Sequence, residues 1–275
     1  MPLLDLVTPW AAVRASSDAA RHFAGRHAAM LERIRRQRAP HLDALPLTAD
    51  ATVLAAAVTR AGDAALQQQL RDATHAAAAL GADLPHTTVL LAGCDEGDAV
   101  LPLPGDPPLV VLFLDREADN AALLLAQVRG QAAITRWGAQ DSAAMLRASL
   151  HDPWDSWELT RTVPLREWIY TVGVAIHVAQ AVFPTTPVHR LLGVRRGELG
   201  RLRERERGLS ALLTPDLDAS GLGLVLRWLV AETPSTMRTH LGTVIPPGAG
   251  RYLAWRLTAD RVTRVGVREA LRLPA

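Results

Sequence analysis

The chain has 275 residues, is 49% hydrophobic and 21% charged, and carries a formal net charge of +2. This excludes a disordered chain and leaves enough apolar surface for one large core or two small ones. All 30 basic residues are arginine, which keeps the isoelectric point near 9.3 because the guanidinium stays protonated; so small a net charge is not the imbalance of a nucleic-acid binder, and no nucleic-acid partner is expected.

Ser16, Ser17 and Asp18 cap a predicted helix that runs to about Arg38, where Ala39-Pro40 stops it. Two Ala-rich helices follow, near 49–60 and 63–80, the second ended by Gly81. Thr87–Leu91 and Leu109–Leu114 are short β-branched and apolar runs, hence strands, separated by a Gly, Pro and Asp-rich loop from Gly93 to Pro108. A long apolar helix is predicted over 118–137, capped by Asp115 or Asp119, and then a loop holding His151, Trp154 and Trp157. Pro164 opens a second apolar helix that Phe183-Pro184 ends. Helices over 194–213, 216–231 and 248–264 complete the chain, the last two separated by the breaker Ile245-Pro246-Pro247-Gly248. The fold class is therefore α+β and mostly helical, with a small sheet beside a central helix. Residues 1–84 form an N-terminal helical region and 85–275 the rest of one continuous compact unit.

Cys94 is the only cysteine, so no intrachain disulfide forms, in keeping with a reducing cytoplasm. The N-terminus lacks a basic region ahead of an apolar stretch, and no segment offers the roughly 18 uncharged apolar residues of a bilayer span. A cytoplasmic protein without membrane contacts is expected.

Three segments carry a resemblance. They are LVVLFLDREADNAALLLAQVRGQAAITRW, PLREWIYTVGVAIHVAQAVFP and IPPGAGRYLAWRLTADRVTRVGVREAL. In this order they resemble a bacterial family of zinc-dependent proteases of the gluzincin type, in which a strand precedes a helix bearing HExxH. In that motif two His one turn apart bind zinc, and the Glu after the first acts as general base. A later helix supplies a third ligand within EGLA. The resemblance implies a metallopeptidase-like fold over residues 85–275. It also places Gln127 and Gln131 at the two His positions, Val128 at the base and Val172 at the third ligand. Gln is a weak neutral ligand, and Val neither binds metal nor accepts a proton. No catalytic residue, metal or cofactor is therefore assigned.

The expectation is a catalytically inactive, peptidase-like protein whose former cleft is lined by Gln127, Val128, Gln131, Arg136, Trp137, Val172 and His177. That cleft would take a peptide or small molecule, Trp137, Trp154, Trp157 and Trp168 giving it an aromatic lining. One alternative is a metal-independent hydrolase or transferase using His177 or His151; another is a structural or interaction module. Cys94 with Asp95 and Glu96 matches no thiol-nucleophile signature, and the acidic loop of Asp95, Glu96 and Asp98 lacks calcium-loop spacing. The arginine-rich runs at 35–38 and 201–207 are read as solvated helix faces, the second alternating in sign so that i,i+3 and i,i+4 pairs can form.

Overall fold

A computed structural model of the chain describes residues 2–38, 47, 50–93, 100–103, 107–114, 119–139, 162–230, 239–240 and 243–275. Strand β1 (Leu3–Asp5) opens it, followed by helices α1 (Val7–Val13), α2 (Ser17–Arg26), α3 (Ala28–Arg38), α4 (Ala51–Ala61) and α5 (Ala64–Ala79). Side-chain caps start three of these. Ser16 accepts from Ala19 N–H, Asp50 from Thr52 and Val53, and Asp63 from Ala65 and Leu66. The single helix expected up to Arg38 is two helices meeting at His27, where φ −109° and ψ 12° leave the helical region. Gly25, a poor helix former, stands two residues before the break.

Strands β2 (Thr87–Leu91), β3 (Val100–Leu103) and β4 (Leu109–Phe113) join β1 in a mixed four-stranded sheet of order β1-β2-β4-β3. β2 is parallel to both β1 and β4, and β3 is antiparallel to β4 with Leu101 opposite Val111. β2 and β4 fall where the sequence places them. β1 and β3 are additions, β3 lying inside the expected polar loop. Pro102 within β3 is compatible with a strand because β3 is an edge.

Side chains alternate cleanly across the sheet. Val89, Leu91, Leu109, Val111 and Phe113 pack with Phe23, Leu31 and Ile34 from α2 and α3 on one face. Leu90, Val110 and Leu112 pack with Val7, Leu54, Leu66 and Leu70 on the other, together with Leu123, Ala126 and Ile134. Those last three belong to α6 (Asn120–Ala139), which Asp119 caps through Ala122 N–H. From Leu123 to Trp137 every residue of α6 except Leu124 and Arg129 is buried, so this helix is enclosed on all sides. Gly130 makes the close approach possible, since a Cβ there would lie 2.8 Å from both Val100 and Val110 side chains.

A second core lies beyond α6. It is built on α7 (Leu165–Val182), followed by α8 (Val188–Leu191), α9 (Arg196–Glu204), α10 (Glu206–Leu213) and α11 (Leu222–Val225). α11 continues as a π-helical turn, Leu226–Val230, in which Trp228 Nε1 donates to Asp216 at 2.8 Å. Two short strands, β5 (Thr239–His240) and β6 (Thr243–Val244), precede the long α12 (Ala249–Ala270), which is non-helical only at Gly266. The helix expected over 194–213 is interrupted at Arg205, and the one expected to end at 264 extends to Ala270. α7 and α12 touch at Gly173, where a Cβ would stand 2.2 Å from the Ala254 carbonyl oxygen. Among the described residues no helix is long and apolar enough to cross a membrane.

Candidate functional site

Gln127 and Gln131 lie one turn apart on α6 and face α5, β2 and the segment between them. Both are fully enclosed, at 0% and 1% exposure. Burying a carboxamide is costly unless its hydrogen bonds are replaced, and here most of them are. Gln127 Oε1 accepts from Thr88 Oγ1 at 3.2 Å, and Gln127 Nε2 donates to Thr74 Oγ1 at 3.2 Å and to His86 Nε2 at 3.3 Å. His86 Nδ1 is 3.0 Å from the Leu84 carbonyl. A carbonyl only accepts, so the proton sits on Nδ1 and Nε2 is left as the acceptor. Burial, opposed by the Leu84 hydrogen bond, holds His86 below the ordinary histidine value, which suits this neutral form. Gln131 Nε2 donates to the carbonyls of Thr74, at 3.1 Å, and Ala82. Its Oε1 is buried with no hydrogen-bond partner.

Val128, also at 0% exposure, belongs to the second core with Val174 and Val178 of α7. Val172 is half-buried against the same core. Arg136 is buried at the far end of α6 in a dense network. Its Nε donates to Thr171 Oγ1 at 3.1 Å, its Nη2 to Glu167 at 2.9 Å, and its Nη1 to the carbonyls of Ala270 and Leu273. Glu167 also accepts from the Ala275 N–H at 3.0 Å. The Tyr170 ring lies 4.1 Å beneath the guanidinium. Burial draws the Arg136 pKa down to about 10, with Glu167 opposing, so the side chain stays charged at neutral pH. Trp137 meets Trp168 edge to face at 4.9 Å.

His177 sits on the part of α7 that faces α12. Its Nε2 lies 3.0 Å from the Trp255 carbonyl, to which it donates, and the two rings stack at 6.2 Å. Burial lowers its pKa. The expected cleft residues thus occupy four packing environments: the glutamines against α5 and β2, Val128 and Val172 in the second core, Arg136 and Trp137 against the first half of α7, and His177 against α12. Sequence reasoning missed the partners Thr74, His86, Thr88, Glu167 and Thr171. Thr74 carried a signal, as the one polar residue in the buried row Leu66, Leu70, Ala73, Thr74 and Ala77 of α5.

Chemically, the side chains around the two glutamines are neutral, and all but the Gln131 Oε1 have a hydrogen-bond partner. The carboxamide oxygen of Gln127 is engaged by the Thr88 hydroxyl, and the next residue, Val128, is aliphatic. Among the described residues no three His, Cys, Asp or Glu side chains gather as a metal set. Cys94, Asp95, Glu96, Asp98, Asp115, His151, Trp154 and Trp157 lie outside the described residues. No family model, no curated protein and no solved structure matches the chain.

Proposed function

We propose that the chain is a catalytically inactive, metallopeptidase-like protein in which the helix corresponding to the motif helix has become a structural spine. The observation that supports this is the state of Gln127 and Gln131: at 0% and 1% exposure, their carboxamides knit α6 to α5 and β2. Val128, where the general base would stand, is buried in the apolar core around α7. A peptidase needs an accessible metal and a base that can deprotonate its water; here the corresponding positions are sealed and neutral. Gln127, Val128, Gln131 and Arg136 have no more than 1% exposure, which leaves the half-buried Trp168, Val172 and His177 of α7 to meet a peptide or small molecule.

Metal analysis of untagged protein, incubated with zinc and dialysed, tests the reading. Fewer than about 0.1 zinc per chain is expected, because a structural or catalytic site binds tightly enough to survive dialysis. Near-stoichiometric zinc that disappears in Gln127→Ala/Gln131→Ala would overturn it, as would metal-dependent hydrolysis of a peptide substrate.

A further inference from the structure

The arginine-rich run of α9 and α10 does not neutralise itself. Arg195, Arg196, Arg201, Arg203, Arg205 and Arg207 are all exposed, and among the described residues none of them forms an ion pair. The expected i,i+3 and i,i+4 pairs are absent because two of the three intervening glutamates are engaged elsewhere. Glu198 accepts from the Arg195 backbone N–H at 2.7 Å, closing the start of α9. Glu206 takes the Tyr252 hydroxyl and, at 3.0 Å, Arg256 Nε, which ties α10 to α12. Six arginines against three glutamates give 195–207 a net +3, more than the +2 carried by the whole chain, so positive charge is concentrated in this segment.

The surrounding surface is unusually low. Gly197, Gly200 and Gly208 are exposed, and a Cβ added at any of them would meet nothing within 4 Å. Neither packing nor a left-handed backbone requires glycine at these helical positions, where it weakens a helix. Arg196, Gly200 and Arg203 stand at i, i+4 and i+7, hence on one stripe, with bare backbone between two guanidinium groups. The apolar residues of this stretch, Leu199, Leu202 and Leu209, are buried, and no aromatic residue occurs between Phe183 and Trp228.

We propose that this face binds the phosphate backbone of a nucleic-acid duplex without reading its sequence. The planar guanidinium fork matches phosphate oxygens bidentately, and the glycines let the backbone come close. A single strand would call for rings on which bases stack, and a membrane surface for apolar side chains to insert; the exposed residues of 195–208 include neither. A duplex offers a regular row of phosphates, and arginines that displace its condensed counterions bind with a steep salt dependence.

The test is fluorescence anisotropy of the full chain with a labelled DNA duplex of mixed sequence, about 24 base pairs long, titrated between about 50 and 200 mM NaCl. Binding at low salt with a steep loss at high salt is expected. Arg196→Ser/Arg203→Ser/Arg207→Ser should weaken binding at least about tenfold and flatten the salt slope by about three, one per phosphate contact. Arg26→Ser/Arg264→Ser/Arg272→Ser removes the same charge from other exposed positions and should leave both quantities unchanged. Circular dichroism checks that each variant is folded. If the first triple is not, Arg196→Ser/Arg203→Ser decides the matter with an expected slope change of about two. Absence of duplex binding at low salt, equal losses in the two triples, or preference for phosphatidylglycerol vesicles over the duplex would each overturn the proposal.

Discussion

Gln127 ties three parts of the chain together through one carboxamide: Thr88 of β2, Thr74 of α5, and His86 between them. Replacing it by a side chain of similar shape removes one hydrogen bond from each of the Thr74 and Thr88 hydroxyls and leaves the His86 Nε2 without its carboxamide donor in the interior. Gln127→Met is therefore expected to cost about 1–3 kcal/mol, read from the urea midpoint of unfolding. His86 in this network and His177 against α12 carry a pH dependence. Burial holds His86 and His177 below the ordinary value of 6.5 when folded, so the unfolded chain binds protons that the folded chain refuses. Their contribution is fully present above pH 6.5 and lost as pH falls through the depressed folded values. Urea midpoints should thus decline from pH 7 towards pH 5, and His86→Gln should reduce that decline; an unchanged slope in the variant would remove His86 from the account.

Between elements, two contacts decide how α7 is held. Gly173 lies against the Ala254 carbonyl and Thr258 Oγ1, where a Cβ would be 2.2 and 2.5 Å away. Backbone cannot yield as a flexible side chain can, so Gly173→Ala should push α7 from α12 and cost about 1–3 kcal/mol, measured by thermal or chemical denaturation. At the other end, Arg136 and Glu167 form an ion pair whose side chains are 0% and 13% exposed. Removing one partner leaves a buried charge uncompensated, so Arg136→Met should cost about 3–5 kcal/mol, with part recovered in Arg136→Met/Glu167→Gln. An equal loss in the double variant would mean that the guanidinium's bonds to Thr171, Ala270 and Leu273 dominate instead. These contacts also show what the sequence withholds. That Gln127, Gln131 and Arg136 are polar residues in an apolar helix is legible at once. Their partners are not, because Thr74 is 53 residues from Gln127 and Leu273 is 137 from Arg136, and no local pattern spans such distances.

At the scale of the molecule, the sheet shows the same limit. β2 and β4 are readable because their β-branched and apolar runs are long enough to be distinctive. β1 has three residues and becomes a strand only by pairing Leu4 with Val89, and β3 is obscured by Pro102 and its polar flanks. A division at residue 84 is natural in the sequence, yet β1 crosses it, and both faces of the sheet are covered from the N-terminal side. Phe23, Leu31 and Ile34 cover one face; Val7, Leu54, Leu66 and Leu70 share the other with α6. A fragment comprising 85–275 would expose Val89, Leu91, Val111 and Phe113 to water along an entire face, and Thr74 would be missing from the glutamine network. Apolar burial is the main term that offsets chain entropy, so this fragment should retain helical circular dichroism but melt without cooperativity and bind ANS. Adding a fragment of residues 1–84 in trans should restore a sharp transition, since the missing surfaces are supplied intact. A sharp transition in 85–275 alone, at the temperature of the whole chain, would show that the second core around α7 and α12 sustains folding without the sheet's cover.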